Sequence, residues 1–208
     1  PYDSCFCTSL GLEPGFSPDV DIMLADAGDA YLVEPVTEQG ASLLADLEKA
    51  GPDDATRLKD IRQTARRLVS RELETGDISD RVLGVFEDRS FWEKAAAKCL
   101  SCGVCTFLCP TCYCFDITDK RSGASGARSR RWDSCAFPEY TRMPAENPRE
   151  EKWRRVRQRV GHKYVFYPRL FGDIACTGCG RCIRACPVNL DITRLLAGLP
   201  ARAAVAER

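Results

Sequence analysis

The chain has 208 residues, 44% of them hydrophobic, and its 30 basic residues are balanced by 30 acidic residues. This balance argues against a nucleic-acid-binding protein and against a strongly charged membrane-surface protein. No apolar run approaches the roughly 18 residues of a membrane span, and no signal-peptide pattern opens the chain, so we expect a cytoplasmic protein without a membrane span.

The first 50 residues are predicted to contain a β-hairpin and a short helix. Two apolar runs flank the turn-forming stretch 26–29, a pattern typical of a hairpin. Thr37 is a candidate N-cap for a helix that the Gly51-Pro52 pair ends. Because the chain opens on Pro1 rather than methionine, we expect residues 1–50 to be the hairpin-containing end of a truncated N-terminal domain.

A helical linker is predicted over residues 51–89. Apolar residues recur at helical spacing between about residues 53 and 74, and the opposite face is charged, so this stripe is expected to pack in a core. Gly76 is expected to stop the helix. Two shorter helices, around 80–87 and 91–97, then lead into a cysteine-rich domain predicted to span residues 90–208.

One cysteine pattern occurs twice in this domain, as C-x2-C-x2-C-x3-C-P at residues 99–110 and again at residues 176–187. It is the spacing of bacterial ferredoxins, in which three thiolates hold one iron–sulfur cluster and the fourth ligates the other cluster. The sequence therefore predicts two [4Fe-4S] clusters with crossed ligands. The first set is Cys99, Cys102, Cys105 and Cys186, and the second set is Cys176, Cys179, Cys182 and Cys109.

Disulfides and structural zinc are the alternatives for so many cysteines. Disulfide scaffolds are typically short secreted chains, whereas this chain is long and has an odd count of 13 cysteines. Zinc sites usually combine two C-x2-C pairs or include histidines, but the single histidine is His162 and neither run stops at two cysteines. Iron–sulfur ligation is therefore favoured.

Five cysteines remain outside the two sets. A third [4Fe-4S] cluster ligated by four of them, buried free thiols, and structural zinc are the three interpretations that the sequence leaves open. The five are Cys5, Cys7, Cys112, Cys114 and Cys135.

A long insertion, residues 115–170, separates the two cysteine runs. Its Gly/Ser/Arg-rich stretch at 121–131 is predicted to be a mobile or partner-ordered loop. The basic segment 152–159 is either a solvated helix face or a docking surface for a partner. After the second run, a helix is predicted from Pro187 to about Leu199, followed by a charged tail.

Several stretches resemble a known family, the dicluster electron-transfer (beta) subunit of cytoplasmic nickel–iron hydrogenases of the sulfhydrogenase type. The stretches are 99–116, 132–135, His162-Lys163 and 176–192. They are also similar to the iron–sulfur relay subunit of anaerobic sulfite reductase. The resemblance implies a hetero-oligomer in which the chain passes electrons between a flavin- and NAD(P)-binding subunit and the hydrogenase, or sulfite reductase, catalytic subunits.

The remaining sequence agrees with a relay role. It contains no dinucleotide-binding fingerprint, no P-loop and no catalytic triad that could be argued from spacing. We therefore expect an α+β protein in which a hairpin-containing, helical N-terminal region precedes a mostly helical, ferredoxin-like dicluster domain. The expected function is a non-catalytic electron relay; the alternatives are the relay of sulfite reductase or another flavin-linked redox complex, and a zinc-bound interaction module.

Overall fold

The computed structural model describes residues 1–201 and contains helices and two small antiparallel sheets, which confirms the α+β class. The chain divides into two compact units, Pro1–Glu72 and Leu73–Arg208. The predicted charged tail falls on residues 202–208, outside the described residues. Over the part of the chain that is described, no helix is both long and apolar enough to cross a membrane.

The predicted N-terminal hairpin is present in the first unit. Strand β1 (Ile22–Asp26) pairs antiparallel with β2 (Tyr31–Pro35). Asp26 Oδ1 accepts a hydrogen bond from the Gly28 N–H at 2.8 Å, and Gly28 has a φ of 91°, which favours glycine in this turn. Thr37 caps helix α1 (Glu38–Leu43), as predicted, by accepting a hydrogen bond from the Gly40 N–H at 3.1 Å.

Helix α2 (Pro52–Leu68) is shorter than the sequence predicted, because the chain becomes extended at Val69 rather than at Gly76. The prediction that its apolar stripe packs in a core is wrong. No residue of α2 is fully buried, and the Leu68 side chain at its end is 56% exposed. A two-stranded hairpin is too small to cover a five-turn helix, so this stripe is only partly shielded from water.

The core of the second unit is enclosed mainly by three helices, α3 (Ile78–Gly84), α4 (Arg89–Ala96) and α6 (Lys152–Gly161). Helix α7 (Tyr167–Phe171) contributes no buried residue. The sequence predicted α3 and α4, with bounds shifted by one to three residues. Trp92 is fully buried between them and donates its indole N–H to the Val85 carbonyl at 2.8 Å. Val82, Val160 and Tyr164 are buried in the same core.

Each cysteine run forms a loop followed by one helical turn. These turns are α5 (Val104–Phe107) and α8 (Arg181–Arg184), and they contact each other. The helix predicted to start at Pro187 begins later, as α9 (Ile192–Ala197), because Asp191 is its N-cap and accepts from the Thr193 N–H at 2.8 Å. Residues between Cys186 and Asp191 form a turn instead, with Asn189 at a φ of 52°.

The insertion contains a second hairpin where a mobile loop was predicted. Strand β3 (Phe115–Ser122) pairs with β4 (Ser125–Trp132), and Gly123 in the turn has a φ of 60°. The sequence analysis missed it because both strands are largely exposed, so neither shows the apolar alternation of a half-buried strand.

The basic segment 152–159 forms helix α6, and it is not a solvated face. Trp153 and Arg155 are buried, and the Arg155 side chain donates to the carbonyls of Ala136 and Arg149, both at 2.9 Å. Arg157 donates to the Phe86 carbonyl at 2.9 Å. A docking surface along this segment stays a prediction, although several of its cations donate to carbonyls of the interior.

A π-helical turn, His162–Phe166, joins α6 to α7. Pro168 lacks an N–H and cannot donate to the Tyr164 carbonyl four residues earlier. That carbonyl accepts a hydrogen bond from the Ser79 hydroxyl instead. Turns of this kind often occur at functional sites, and this one places Lys163 in the interior next to the cysteine motifs.

Candidate iron–sulfur centres

The two cysteine motifs have the same backbone conformation. Gly103 and Gly180 each precede a helical turn with a left-handed φ, 76° and 67°. The N–H group two residues after the first cysteine of each motif lies 3.4 Å from that cysteine's Sγ, from Ser101 to Cys99 and from Gly178 to Cys176. Such N–H groups stabilise a thiolate, as the donors around cluster sulfurs do.

A single cleft brings together the cysteines predicted to hold the first cluster. Cys186 from the second motif lines it together with all three closely spaced cysteines of the first motif. The remaining lining is largely apolar, and it includes Val104, Val188 and Leu190. Cys182, which is predicted to ligate the second cluster, also lines this cleft, and thiols in an apolar cleft fit a [4Fe-4S] cluster chemically. The crossed assignment of Cys186 is supported by this placement and stays a prediction.

The fourth cysteine of the first motif lies toward the second motif. Thr111 is 3.2 Å from Cys109 between Oγ1 and Sγ, and its hydroxyl donates to the Ala175 carbonyl at 2.7 Å, directly before Cys176. Cys109 is close enough to Cys176 to act on it electrostatically. This arrangement supports a second set formed by Cys109, Cys176, Cys179 and Cys182, and that set likewise stays a prediction.

Lys163 contacts the second set directly, and the sequence analysis assigned it no role. Its Nζ lies 3.2 Å from Cys109 Sγ, 2.8 Å from Thr111 Oγ1 and 2.8 Å from the Ala175 carbonyl oxygen. The residue is only 2% exposed. Burial alone would lower the pKa of Lys163, but the neighbouring Cys109 and Cys112 raise it above its usual value, so the ammonium stays charged.

Arg159 is a second buried cation, placed between the two motifs. Its Nη2 donates to the Cys105 carbonyl at 3.3 Å, and its guanidinium interacts electrostatically with Cys105 and Cys182. Burial opposes the charge, but these thiolates raise the pKa of Arg159 further. Because Arg159 lies at the end of a run of basic residues, only the fold shows which of these cations reaches the cysteine motifs.

Three of the five remaining cysteines lie in the second unit. Cys112 and Cys109 share a hydrogen bond that lowers the pKa of Cys109 and raises that of Cys112. Cys114 and Cys135 form a similar pair, in which the pKa of Cys114 is lowered. Cys5 and Cys7 lie in the first unit, where burial raises the pKa of Cys7. A third cluster stays a prediction.

Within residues 1–201, no three His, Cys, Asp or Glu side chains are positioned to hold a single metal ion. A cubane cluster has different requirements, because its thiolates bind separate iron corners and therefore stand further apart than the ligands of one ion.

Comparison with known proteins agrees with this chemistry. Residues 98–190 match the model of the 4Fe-4S dicluster domain. The chain is 31% identical over 203 residues to sulfhydrogenase 2 subunit beta of Pyrococcus furiosus, an alignment that covers 94% of this chain and 59% of that protein. No solved structure matches the chain. The chain is thus similar to a sulfhydrogenase beta subunit over most of its own length, and it contains a 4Fe-4S dicluster domain.

Proposed function

We propose that this chain is the electron-relay subunit of a cytoplasmic, hydrogenase-type oxidoreductase complex. Electrons would pass through its two [4Fe-4S] clusters between a flavin- and NAD(P)-binding subunit and a nickel–iron hydrogenase module. The observation that carries the proposal is the closeness of the two cysteine sets. Cys182 of the second set lines the same cleft as the first set, and it interacts electrostatically with Cys105.

The chain's own residues would hold and adjust the clusters, which supply one-electron redox chemistry when they are bound. The motif loops direct N–H groups at cysteine sulfurs, and Lys163 and Arg159 place positive charge beside them. Both features stabilise thiolates and the added negative charge of a reduced cluster. These are the requirements for a relay, and they involve no substrate.

The second hairpin offers a surface for a neighbouring subunit. The cross-strand neighbours Phe115 and Trp132, with Ile117 two residues along, place large apolar side chains on one face, and all three are exposed. Arg130, opposite Ile117, stacks over the Phe115 ring at 5.1 Å. Aromatic residues and arginine are enriched in protein interfaces, and the cations suit an acidic partner.

The composition of the native complex tests the relay role. We expect a tag on this chain, purified without oxygen from its native host, to recover a brown hetero-oligomer with about eight iron and eight sulfide per copy of the chain. Nickel and flavin should co-purify. Siroheme in place of nickel would favour the sulfite reductase alternative, and zinc without acid-labile sulfide would contradict the relay role.

The same purification tests the hairpin surface. The double variant Ile117→Ser/Trp132→Ser should keep its iron and sulfide but lose most of the nickel or the flavin that accompanies the wild-type chain. The control is Asp116→Asn/Lys120→Gln, which changes polar residues on the opposite face of the hairpin. Unchanged nickel and flavin content in the first variant would place the partner elsewhere.

A further inference from the structure

Corresponding cysteines of the two motifs receive different hydrogen bonds. Cys186, the fourth cysteine of the second motif, accepts from the backbone N–H of Leu190 at 3.2 Å. Cys109, the fourth cysteine of the first motif, accepts from the Lys163 ammonium at 3.2 Å. One donor is neutral and the other carries a full charge, and charge-assisted hydrogen bonds are about twice as strong as neutral ones.

The Lys163 ammonium is held in place by the protein. Besides Cys109, it donates to Thr111 Oγ1 and to the Ala175 carbonyl, both at 2.8 Å, so each of its three protons has an acceptor. The π-helical turn places Lys163 on the inner side of the chain, where it is 2% exposed. Burying a charge costs free energy. Because all three N–H donors of this buried charge go to Cys109 and to groups beside the cysteine motifs, Lys163 is expected to act on Cys109.

We propose that Lys163 is a positioning residue that raises the reduction potential of one cluster, the one ligated by Cys109. A reduced cluster carries one more negative charge than an oxidised cluster, so a fixed positive charge and an N–H donor at its sulfur favour the reduced form. Water screens this charge little, because the group is buried. This role of Lys163 rests on the proposed relay function, and it means that the cluster ligated by Cys109 holds an electron more strongly than the other cluster.

Arg159 acts on both sets. Its guanidinium interacts electrostatically with Cys105 of one set and with Cys182 of the other, and it also hydrogen-bonds to Cys182. Lys163 interacts with Cys109 and with Cys112 beside it. The charge of Lys163 is therefore placed beside one set alone, whereas that of Arg159 lies beside both.

The test is a redox titration of the purified full chain, followed by electron paramagnetic resonance. Lys163→Met removes the charge and the donor at nearly constant length. We expect the reduction equilibrium constant of one cluster to fall at least tenfold, which is about 59 mV for one electron. The potential of the other cluster should stay within a few mV of its wild-type value. The shifted signal should be the one whose shape changes in Cys109→Ser.

The matched control is Lys152→Met, eleven residues earlier in the preceding helix. Lys152 is exposed, and its ammonium donates to the Ala97 carbonyl at 2.7 Å rather than to a thiol. Both potentials should be unchanged in this variant. If Lys163→Met binds only one cluster, Lys163→Gln, which keeps a neutral N–H donor, should lower the same potential by a smaller factor.

The inference would be overturned if Lys163→Met kept its full iron content and both potentials stayed at their wild-type values. If Lys163→Met loses a cluster, the same result in Lys163→Gln would overturn it. The outcome is separate from that of the proposed function. A chain that purifies alone but shows the selective shift would refute the relay complex and leave the role of Lys163 intact.

Discussion

The two cysteine motifs share their spacing and loop conformation, but the residues that support them differ. In the first motif, Ser101 accepts a hydrogen bond from the buried Arg155 at 3.0 Å, and the Gly103 Cα faces the Phe137 ring. In the second motif, the loop before Cys176 receives Lys163. The repeated motif thus gives the same loop conformation twice. Helix α6 and the π-helical turn after it contact the two loops differently, so the surroundings of the two sites differ.

Removal of single cysteines is the strongest way to separate the two sites. Cys102→Ala and Cys179→Ala should each reduce iron from about eight to about four per chain, because each removes a ligand of a different cluster. Since cluster ligation is coupled to folding, the melting temperature of the second unit should fall more than that of the first. Iron analysis and calorimetry of the two variants measure both effects.

Cys109→Ala tests whether the fourth cysteine of each motif ligates the cluster of the other motif. It should remove the same cluster signal as Cys179→Ala, although Cys109 belongs to the first motif. Loss of the signal that Cys102→Ala removes would mean that each motif closes on its own cluster.

Arg155→Ala should destabilise the first motif more than the second. The guanidinium donates to the Ala136 and Arg149 carbonyls and to Ser101 Oγ, and its removal leaves these buried acceptors unpaired. We expect a loss of roughly 3 kcal/mol in the free energy of unfolding. Arg155→Lys should restore little of it, because an ammonium cannot reproduce the planar fork. Denaturant unfolding provides the measurement, and a loss below about 1 kcal/mol would show that water replaces these bonds.

Gly103→Ala should also destabilise the first motif, and by no more than Arg155→Ala does. A Cβ at Gly103 would approach Phe137 Cζ to 2.7 Å at a left-handed φ of 76°. Gly123 has a φ of 60° but open space around it, so Gly123→Ala is the control for backbone strain alone. We expect losses of roughly 3 kcal/mol and roughly 1 kcal/mol in the free energy of unfolding. Equal losses would show that the Phe137 ring moves aside.

Local signals allowed much of this fold to be predicted. The hairpin at the N-terminal end follows from its turn residues, and the start of α1 follows from Thr37 as an N-cap. The cysteine spacing predicted a dicluster domain, and residues 98–190 match that domain. In each case the feature depends on residues that are close together in the sequence, or on the spacing of the motif itself.

Long-range contacts explain the failures. The residues of α6 read as a solvated basic helix, because nothing within the segment shows that Arg155 and Arg159 find buried acceptors far away in sequence. Lys163 lacked a role for the same reason, since its partners come from Thr111 and Ala175. The second hairpin was missed because its strands are exposed and carry no burial pattern.

The cleft that joins Cys186 to the first motif has a consequence for biosynthesis. Its thiols come from both ends of the dicluster domain, so a ribosome that has finished only the first motif has made no complete four-thiol site. The second hairpin and helix α6 must also be synthesised before Cys186 emerges. With crossed ligands, neither cluster can be completed before the second motif has been synthesised, and the unloaded cysteines of the first motif need protection from oxygen until then.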